Sequence, residues 1–109
     1  MRRIEIMGVE ICDLTNSETV EESRKLLEKQ DDIPDIIFTP NTEIVMMCQK
    51  DEILKSIINR GSLILPDGIG LVIGSKLRKM PLSERVTGFD TSLSLLNMAM
   101  KEGYKVFLL

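Results

Sequence analysis

The chain has 109 residues, of which 43% are hydrophobic and 28% charged, the balance of an ordinary soluble globular domain. Its net charge of −3 argues against a nucleic-acid partner, because nucleic-acid-binding domains usually carry a basic excess. The sequence contains no histidine, which excludes histidine bases, histidine-activated nucleophiles and histidine metal ligands from this segment. Catalysis here would have to use carboxylates, cations, hydroxyls, amides or helix dipoles.

The first third of the chain predicts two strands, a helix and a third strand. Isoleucine and valine alternate with other residues around Gly8 in "IEIMGVEI", which predicts two short strands joined by a tight turn. Thr15 and Glu18 have the spacing of a capping box and predict the start of a helix. Residues 36–39 then predict a buried strand, which Pro40 ends.

The rest of the chain alternates in the same way. "TEIVMMCQ" and "DEILKSIINRG" predict a helix with a break near Asp51, "SLILP" a strand, and "GIGLVIGSKLRK" a short helix. Asp90 or Thr91 can cap a last long helix that Gly103 ends, and "YKVFLL" predicts a final strand. We therefore expect residues 1–109 to form one α/β domain. It would be a Rossmann-like parallel sheet with helices on both faces, the N-terminal part of a longer fold.

Cys12 and Cys48 are predicted to be reduced, buried thiols of a cytoplasmic protein. They lie far apart in the chain and form no CxxC pattern, although a disulfide or a reactive thiol is the alternative. The N-terminus lacks the apolar core of a secretory signal, and no apolar run is long enough to span a membrane.

Two polar clusters lie at the ends of the predicted strands of the sheet. Thr39 and Asn41 come after "DIIF", and Asp67 and Gly68 come after "SLIL". Ligands of open parallel α/β sheets bind outside the carboxyl ends of the strands, so the two clusters are candidate binding groups. Helix caps explain the first cluster equally well, and a turn or cap explains the second.

A third cluster, "SERVTGFD", concentrates Arg85, Thr87 and Asp90 in a loop. The planar guanidinium of Arg85 could clamp a diphosphate, whereas a solvated loop is the simpler interpretation. The basic run at Arg78 and Lys79 is interpreted as an exposed helix end. The glycines of "GIGLVIG" do not match a dinucleotide fingerprint, and no DxD motif is present to hold a metal ion.

In their order and spacing, "TPNTEIV", "LPDGIGLV" and "ERVTGFD" resemble motifs of the WecG/TagA/CpsF family of glycosyltransferases, most closely its TagA branch. The resemblance covers essentially the whole chain and the first half of a family member. It implies inverting, metal-independent transfer of N-acetylmannosamine from UDP-N-acetylmannosamine. The acceptor would be the 4-hydroxyl of undecaprenyl-diphosphate-linked N-acetylglucosamine in wall teichoic acid synthesis.

The resemblance also implies roles for residues. Asp67 would be the catalytic base on the acceptor hydroxyl, and Arg85 would stabilise diphosphate charge. Substrate-binding positions would be Thr39, Asn41, Gly68, Thr87 and Asp90. No cofactor is expected.

The implied partners are the UDP-sugar donor, the polyprenyl-diphosphate acceptor and the inner face of the cell membrane, reached through the C-terminal region of family members. A second copy of the chain is a further candidate partner. The alternative function is a non-catalytic module that holds a nucleotide or sugar phosphate in the same crevice.

Overall fold

The computed structural model describes residues 1–29, 32–77 and 82–109. The described part is a mixed α/β structure whose strands are short and whose helices are longer. Its elements in chain order are β1 (Arg3–Ile6), β2 (Val9–Cys12), α1 (Asn16–Glu28), β3 (Ile37–Phe38), α2 (Thr42–Cys48), α3 (Glu52–Asn59), β4 (Leu63–Ile64), α4 (Ile69–Leu77) and α5 (Gly88–Glu102).

The first two strands form the antiparallel hairpin that the sequence predicts. Ile4 pairs with Ile11, and the turn between the strands places both Met7 and Gly8 at positive φ, 50° and 85°. Two successive residues at positive φ are the mark of the tight turn whose twist suits a hairpin. The isoleucines of β1 and β2 are buried, so one face of the hairpin forms part of the core.

The other two strands, β3 and β4, form a parallel pair. Ile37 lies opposite Leu63 and Phe38 opposite Ile64, with α2 and α3 forming the crossover. The hairpin packs beside β4, where the Ile64 N–H lies 3.4 Å from the Cys12 sulfur. The buried core includes Ile4, Val9, Ile11, Val45, Leu63, Ile64, Leu65 and Val86.

The expectation of one Rossmann-like parallel sheet is met only in part. The described residues contain two separate two-stranded sheets, and only the β3–β4 pair is parallel. Pro40 and Pro66 stand two positions after these strands and have no N–H to donate. Neither proline can donate a ladder bond, so in the described ranges the backbone bonds between the two segments beyond the strands run only from the β4 side, from Leu65 and Asp67.

The helix boundaries follow local signals. Thr15 and Glu18 form the predicted capping box at the start of α1. The predicted break near Asp51 is confirmed, because Asp51 caps α3 after α2 has ended at Cys48. The cap of α5 was predicted wrongly at Asp90 or Thr91. The hydroxyl of Thr87 accepts a hydrogen bond from the Asp90 N–H, and the helix starts at Gly88.

Residues 104–109 are not the strand that "YKVFLL" predicts. Gly103 ends α5 at φ 76°, and the segment that follows has no regular secondary structure. Phe107 is 84% exposed and Leu108 82%, since no described strand pairs with them. A buried-strand pattern is expressed only where a neighbouring strand accepts its hydrogen bonds.

An apolar groove of about 680 Å³ lies between α1, α5 and residues 104–108. Its walls include Leu26, Ile33, Ile37, Leu95 and Phe107. None of the helices in the described ranges is both long enough and apolar enough to cross a bilayer.

Candidate functional site

The ends of β3 and β4 meet at one edge of their sheet. The Leu65 N–H donates to the Phe38 carbonyl at 2.8 Å, and the Asp67 N–H donates to the Pro40 carbonyl at 3.2 Å. These bonds carry the two chains side by side beyond the strands. Gly68, at φ 110°, passes close to Asn41: a Cβ on Gly68 would lie 3.9 Å from the Asn41 Cβ. The two polar clusters predicted from the sequence are therefore brought together.

The carboxylate of Asp67 lies at the N-terminus of α5. Its Oδ2 accepts a hydrogen bond from the Gly88 N–H at 3.2 Å, and the residue is half-buried. Its Oδ1 has no hydrogen-bond partner within the described ranges. One carboxylate oxygen is thus held by the protein, while the other is left without a bond in the described part of the chain.

Gly88 also brings α5 against the end of β3. A Cβ at this position would lie 3.0 Å from the Thr39 Oγ1, closer than ordinary van der Waals contact. A larger residue would push Thr39 and the helix apart. Thr39, Asp67 and Gly88 therefore lie together at the strand ends, and we call this place the Asp67 crevice.

Two of the predicted substrate-binding residues are helix caps. The Asn41 Oδ1 accepts a hydrogen bond from the Ile44 N–H at 3.0 Å and caps α2. Thr87 caps α5 through the Asp90 N–H at 3.0 Å. Asn41 and Asp90 are exposed, so capping leaves the amide nitrogen of Asn41 and the Asp90 carboxylate at the surface.

Residues 82–87, here called the Arg85 loop, are attached to the fold rather than solvated throughout. The Ser83 N–H donates to the Asp13 Oδ1 at 2.8 Å, and the Val86 N–H donates to the Pro66 carbonyl at 3.2 Å. Val86 is completely buried. These attachments keep the loop beside the Asp67 crevice.

The side chain of Arg85 is exposed, and no residue in the described ranges bonds to its guanidinium. Its main chain is held in place because the next two residues, Val86 and Thr87, bond to the Pro66 carbonyl and cap α5, respectively. A cation at this place is available to an anion that approaches the crevice from solvent. Arg78 and Lys79, the other predicted cations, lie outside the described residues.

Asp13 anchors the Arg85 loop to the hairpin. Burial by itself would raise the pKa of Asp13, but the Ser83 N–H and the Arg2 guanidinium together hold that pKa below its ordinary value. The Asp13 carboxylate therefore stays charged at a lower pH than an ordinary aspartate does.

The cysteines play no part in the crevice. Cys12 and Cys48 are both free and buried, as predicted. Burial raises the pKa of the Cys48 thiol, which disfavours the nucleophilic thiolate. In the described ranges no three histidine, cysteine, aspartate or glutamate side chains lie close enough together to ligate a metal ion.

Sequence reasoning missed Gly88, Asp13 and Asn16, which shape the crevice and the loop. Gly88 had a signal, because it follows a Thr that stands three positions before an Asp, the spacing of a helix start. Asp13 and Asn16 had none. They contact the Arg85 loop from about 70 positions away, which no local pattern can show.

Comparison with known proteins adds independent findings. The family model described as "Glycosyl transferase WecG/TagA/CpsF family" matches residues 4–109. A Staphylococcus aureus N-acetylglucosaminyldiphosphoundecaprenol N-acetyl-β-D-mannosaminyltransferase is 32% identical over 107 residues, which are 98% of this chain and 42% of that protein. The Bacillus subtilis protein of the same name is 37% identical over 73 residues, 67% of this chain and 28% of that protein. The chain thus spans less than half the length of these relatives.

Proposed function

Because the chain belongs to the WecG/TagA/CpsF family of glycosyltransferases, we propose that it transfers N-acetylmannosamine from UDP-N-acetylmannosamine to a lipid-linked acceptor. The acceptor is the 4-hydroxyl of undecaprenyl-diphosphate-linked N-acetylglucosamine, and the product belongs to wall teichoic acid synthesis. The names of the relatives support this choice of sugar and acceptor.

The observation that carries the proposal is the half-anchored carboxylate of Asp67. The Gly88 N–H holds Oδ2, and Oδ1 faces no bonding partner in the described ranges. A general base must lie within hydrogen-bond reach of the proton that it removes, in a fixed orientation. The hydrogen bond from the Gly88 N–H fixes the orientation of the Asp67 carboxylate. Its Oδ1 comes within hydrogen-bond reach of the proton when an acceptor hydroxyl enters the crevice.

The proposed reaction is a single displacement. Asp67 accepts the proton of the 4-hydroxyl as the acceptor oxygen forms a bond to the anomeric carbon of the donor. The bond from that carbon to the diphosphate breaks on the opposite side, so the configuration is inverted and UDP leaves. No protein-held metal ion takes part, and the charge that develops on the diphosphate must be met by other groups.

Arg85 is the proposed partner of that diphosphate. Its exposed guanidinium extends from a loop attached beside the crevice, and a guanidinium matches diphosphate oxygens in a bidentate fashion. Thr39, Asn41, Gly68, Thr87 and Asp90 are the proposed substrate contacts. The capping roles of Asn41 and Thr87 make them rigid supports for such contacts.

Location follows from the acceptor. The polyprenyl tail of the acceptor lies in a bilayer, so we propose that the protein works at the inner face of the cell membrane as a peripheral protein. Vesicle co-sedimentation with and without the polyprenyl acceptor measures this. Self-association is a further prediction, measured by sedimentation velocity.

The decisive experiment measures acceptor-dependent UDP release from UDP-N-acetylmannosamine, with a soluble analogue of the lipid acceptor. The matched control donor is its epimer, UDP-N-acetylglucosamine. We expect release only with the first donor, a product of inverted anomeric configuration by NMR, and an unchanged rate in EDTA. Donor binding without acceptor-dependent release would favour the alternative, a non-catalytic binding module.

A further inference from the structure

The first residue of α1 is bonded to the Arg85 loop from both of its nitrogens. The Glu84 Oε2 accepts a hydrogen bond from the Asn16 N–H at 2.8 Å. The side-chain amide of Asn16 donates a second hydrogen bond, to the Arg85 carbonyl at 3.4 Å. The backbone of Arg85 is therefore held from α1, 69 positions earlier in the chain.

These bonds come in a series along the loop. Ser83 and Glu84 bond towards the hairpin and α1, whereas Val86 and Gly88 bond towards the end of β4. Arg85 is located where the attachments change sides. The backbone is therefore held on both sides of Arg85, while the side chain of Arg85 is exposed.

A simpler role for Glu84 is to cap α1. The first N–H groups of a helix have no partner inside it, and a carboxylate there is stabilising. The capping box of α1 satisfies the N–H groups of Thr15 and Glu18, and Glu84 adds to it by accepting the N–H of Asn16. The Asn16–Arg85 bond, however, lies outside any capping function, since it restrains the loop and not the helix.

We propose that Glu84 and Asn16 are positioning residues that aim Arg85 at the diphosphate. The inference rests on the proposed function, because it gives Arg85 its ligand. Without the pair, the loop would still be tethered at Ser83 and Val86. The segment between them would sample other conformations, and the main chain that carries the guanidinium would lose its fixed position.

The test is a double-mutant cycle on UDP affinity, measured by calorimetry. The variants are Glu84→Ala, Arg85→Ala and the double variant, with Glu84→Gln as the conservative replacement and Asn16→Ala as a second route to the same loss. Glu18→Ala is the matched control. It removes a carboxylate that also bonds a backbone N–H at the start of α1, at 2.9 Å from Thr15, but that has no bond to the Arg85 loop.

We expect Glu84→Ala and Asn16→Ala to weaken UDP binding about fivefold, a typical coupling between neighbouring groups. Glu84→Gln should restore most of the affinity, since its amide oxygen can accept the same hydrogen bond. In the Arg85→Ala background, Glu84→Ala should have no further effect. Glu18→Ala should lower thermal stability as much as Glu84→Ala does but leave UDP affinity unchanged.

Several results would overturn the inference. Equal losses from Glu84→Ala with and without Arg85 would show that Glu84 does not act through Arg85. An unchanged affinity in Arg85→Ala would remove the ligand contact itself. Should Glu84→Ala fail to fold, Asn16→Ala decides alone. The proposed function is tested separately by acceptor-dependent UDP release, so a working transferase with uncoupled Glu84 would reject only this inference.

Discussion

The Asp67 crevice and the apolar groove are held together in different ways. In the crevice, N–H groups of α5 and α2 donate to the side chains of Asp67, Thr87 and Asn41, and Val86 anchors the neighbouring loop in the core. The groove has apolar walls, and Phe107 on its rim is almost fully exposed. The crevice is thus preorganised within the described chain, whereas the described residues leave the groove open. Chemistry is expected in the first region and tolerance to substitution in the second.

The largest expected effect concerns the crevice. Asp67→Asn should lower acceptor-dependent turnover by about 10²- to 10⁴-fold, the usual contribution of a general base, because an amide cannot accept the proton. Folding should be intact, since the amide oxygen can still accept the Gly88 N–H. The measurement is the initial rate of UDP release.

Asp51→Asn is the matched control for that substitution. Asp51 caps α3 through the Leu54 N–H at 3.0 Å, outside the crevice, and Asn is an equally good cap. Its turnover should equal that of the unmodified protein. Near-normal turnover of Asp67→Asn would remove Asp67 from the mechanism.

The second prediction compares the core below the crevice with the rim of the groove. Leu65→Ala removes a completely buried side chain and should lower the free energy of unfolding by about 2–5 kcal/mol. Phe107→Ala removes a larger side chain that is 84% exposed, and should change the free energy of unfolding by less than about 0.5 kcal/mol. Urea denaturation of both variants measures the difference. A large cost at Phe107 would mean that the groove closes over it in solution.

The third prediction compares two glycines. A Cβ on Gly61 would lie 2.5 Å from the ring of Phe38, so Gly61→Ala should destabilise the fold by about 1–3 kcal/mol through overpacking. A Cβ on Gly74, within α4, would meet none of the described atoms within 4 Å. Gly74→Ala should therefore stabilise by about 0.5–1 kcal/mol through helix propensity. Thermal unfolding measures both effects. A midpoint raised in both variants would contradict the packing of Gly61 against Phe38.

The smallest expected effect is the acid response of the Arg85 loop. The pKa of Asp13 is lowered in the folded state, so its contribution to stability is complete above the pKa of the unfolded chain, about 3.9. That contribution is lost as the pH falls through the lower, folded-state pKa. Asp13→Asn should therefore reduce stability at neutral pH and flatten the acid limb of the stability curve. An identical acid limb in the variant would show that Asp13 does not anchor the loop.

Much of the local structure was predictable from sequence because it depends on contacts between near neighbours. The turn at Gly8, the capping box of Thr15 and Glu18, the helix break at Asp51 and the end of α5 at Gly103 each involve residues within four positions of one another. The family resemblance placed Asp67 and Arg85 among the candidates. Position after a predicted strand also singled out Asp67.

Only the tertiary structure decided which groups meet. The anchor of Asp67 comes from 21 positions away and that of Glu84 from 68. The strand predicted at "YKVFLL" is not formed, and the predicted parallel sheet is met only in the β3–β4 pair. Both outcomes have one reason, since a strand exists only beside a partner that its own sequence does not specify. The sequence alone determined where the chain turns, where most of its helices start and stop, and which residues are candidates for chemistry. Long-range hydrogen bonds, together with the close packing of Gly88 against Thr39, determined that Thr39, Asp67 and Gly88 share one crevice with the Arg85 loop beside it.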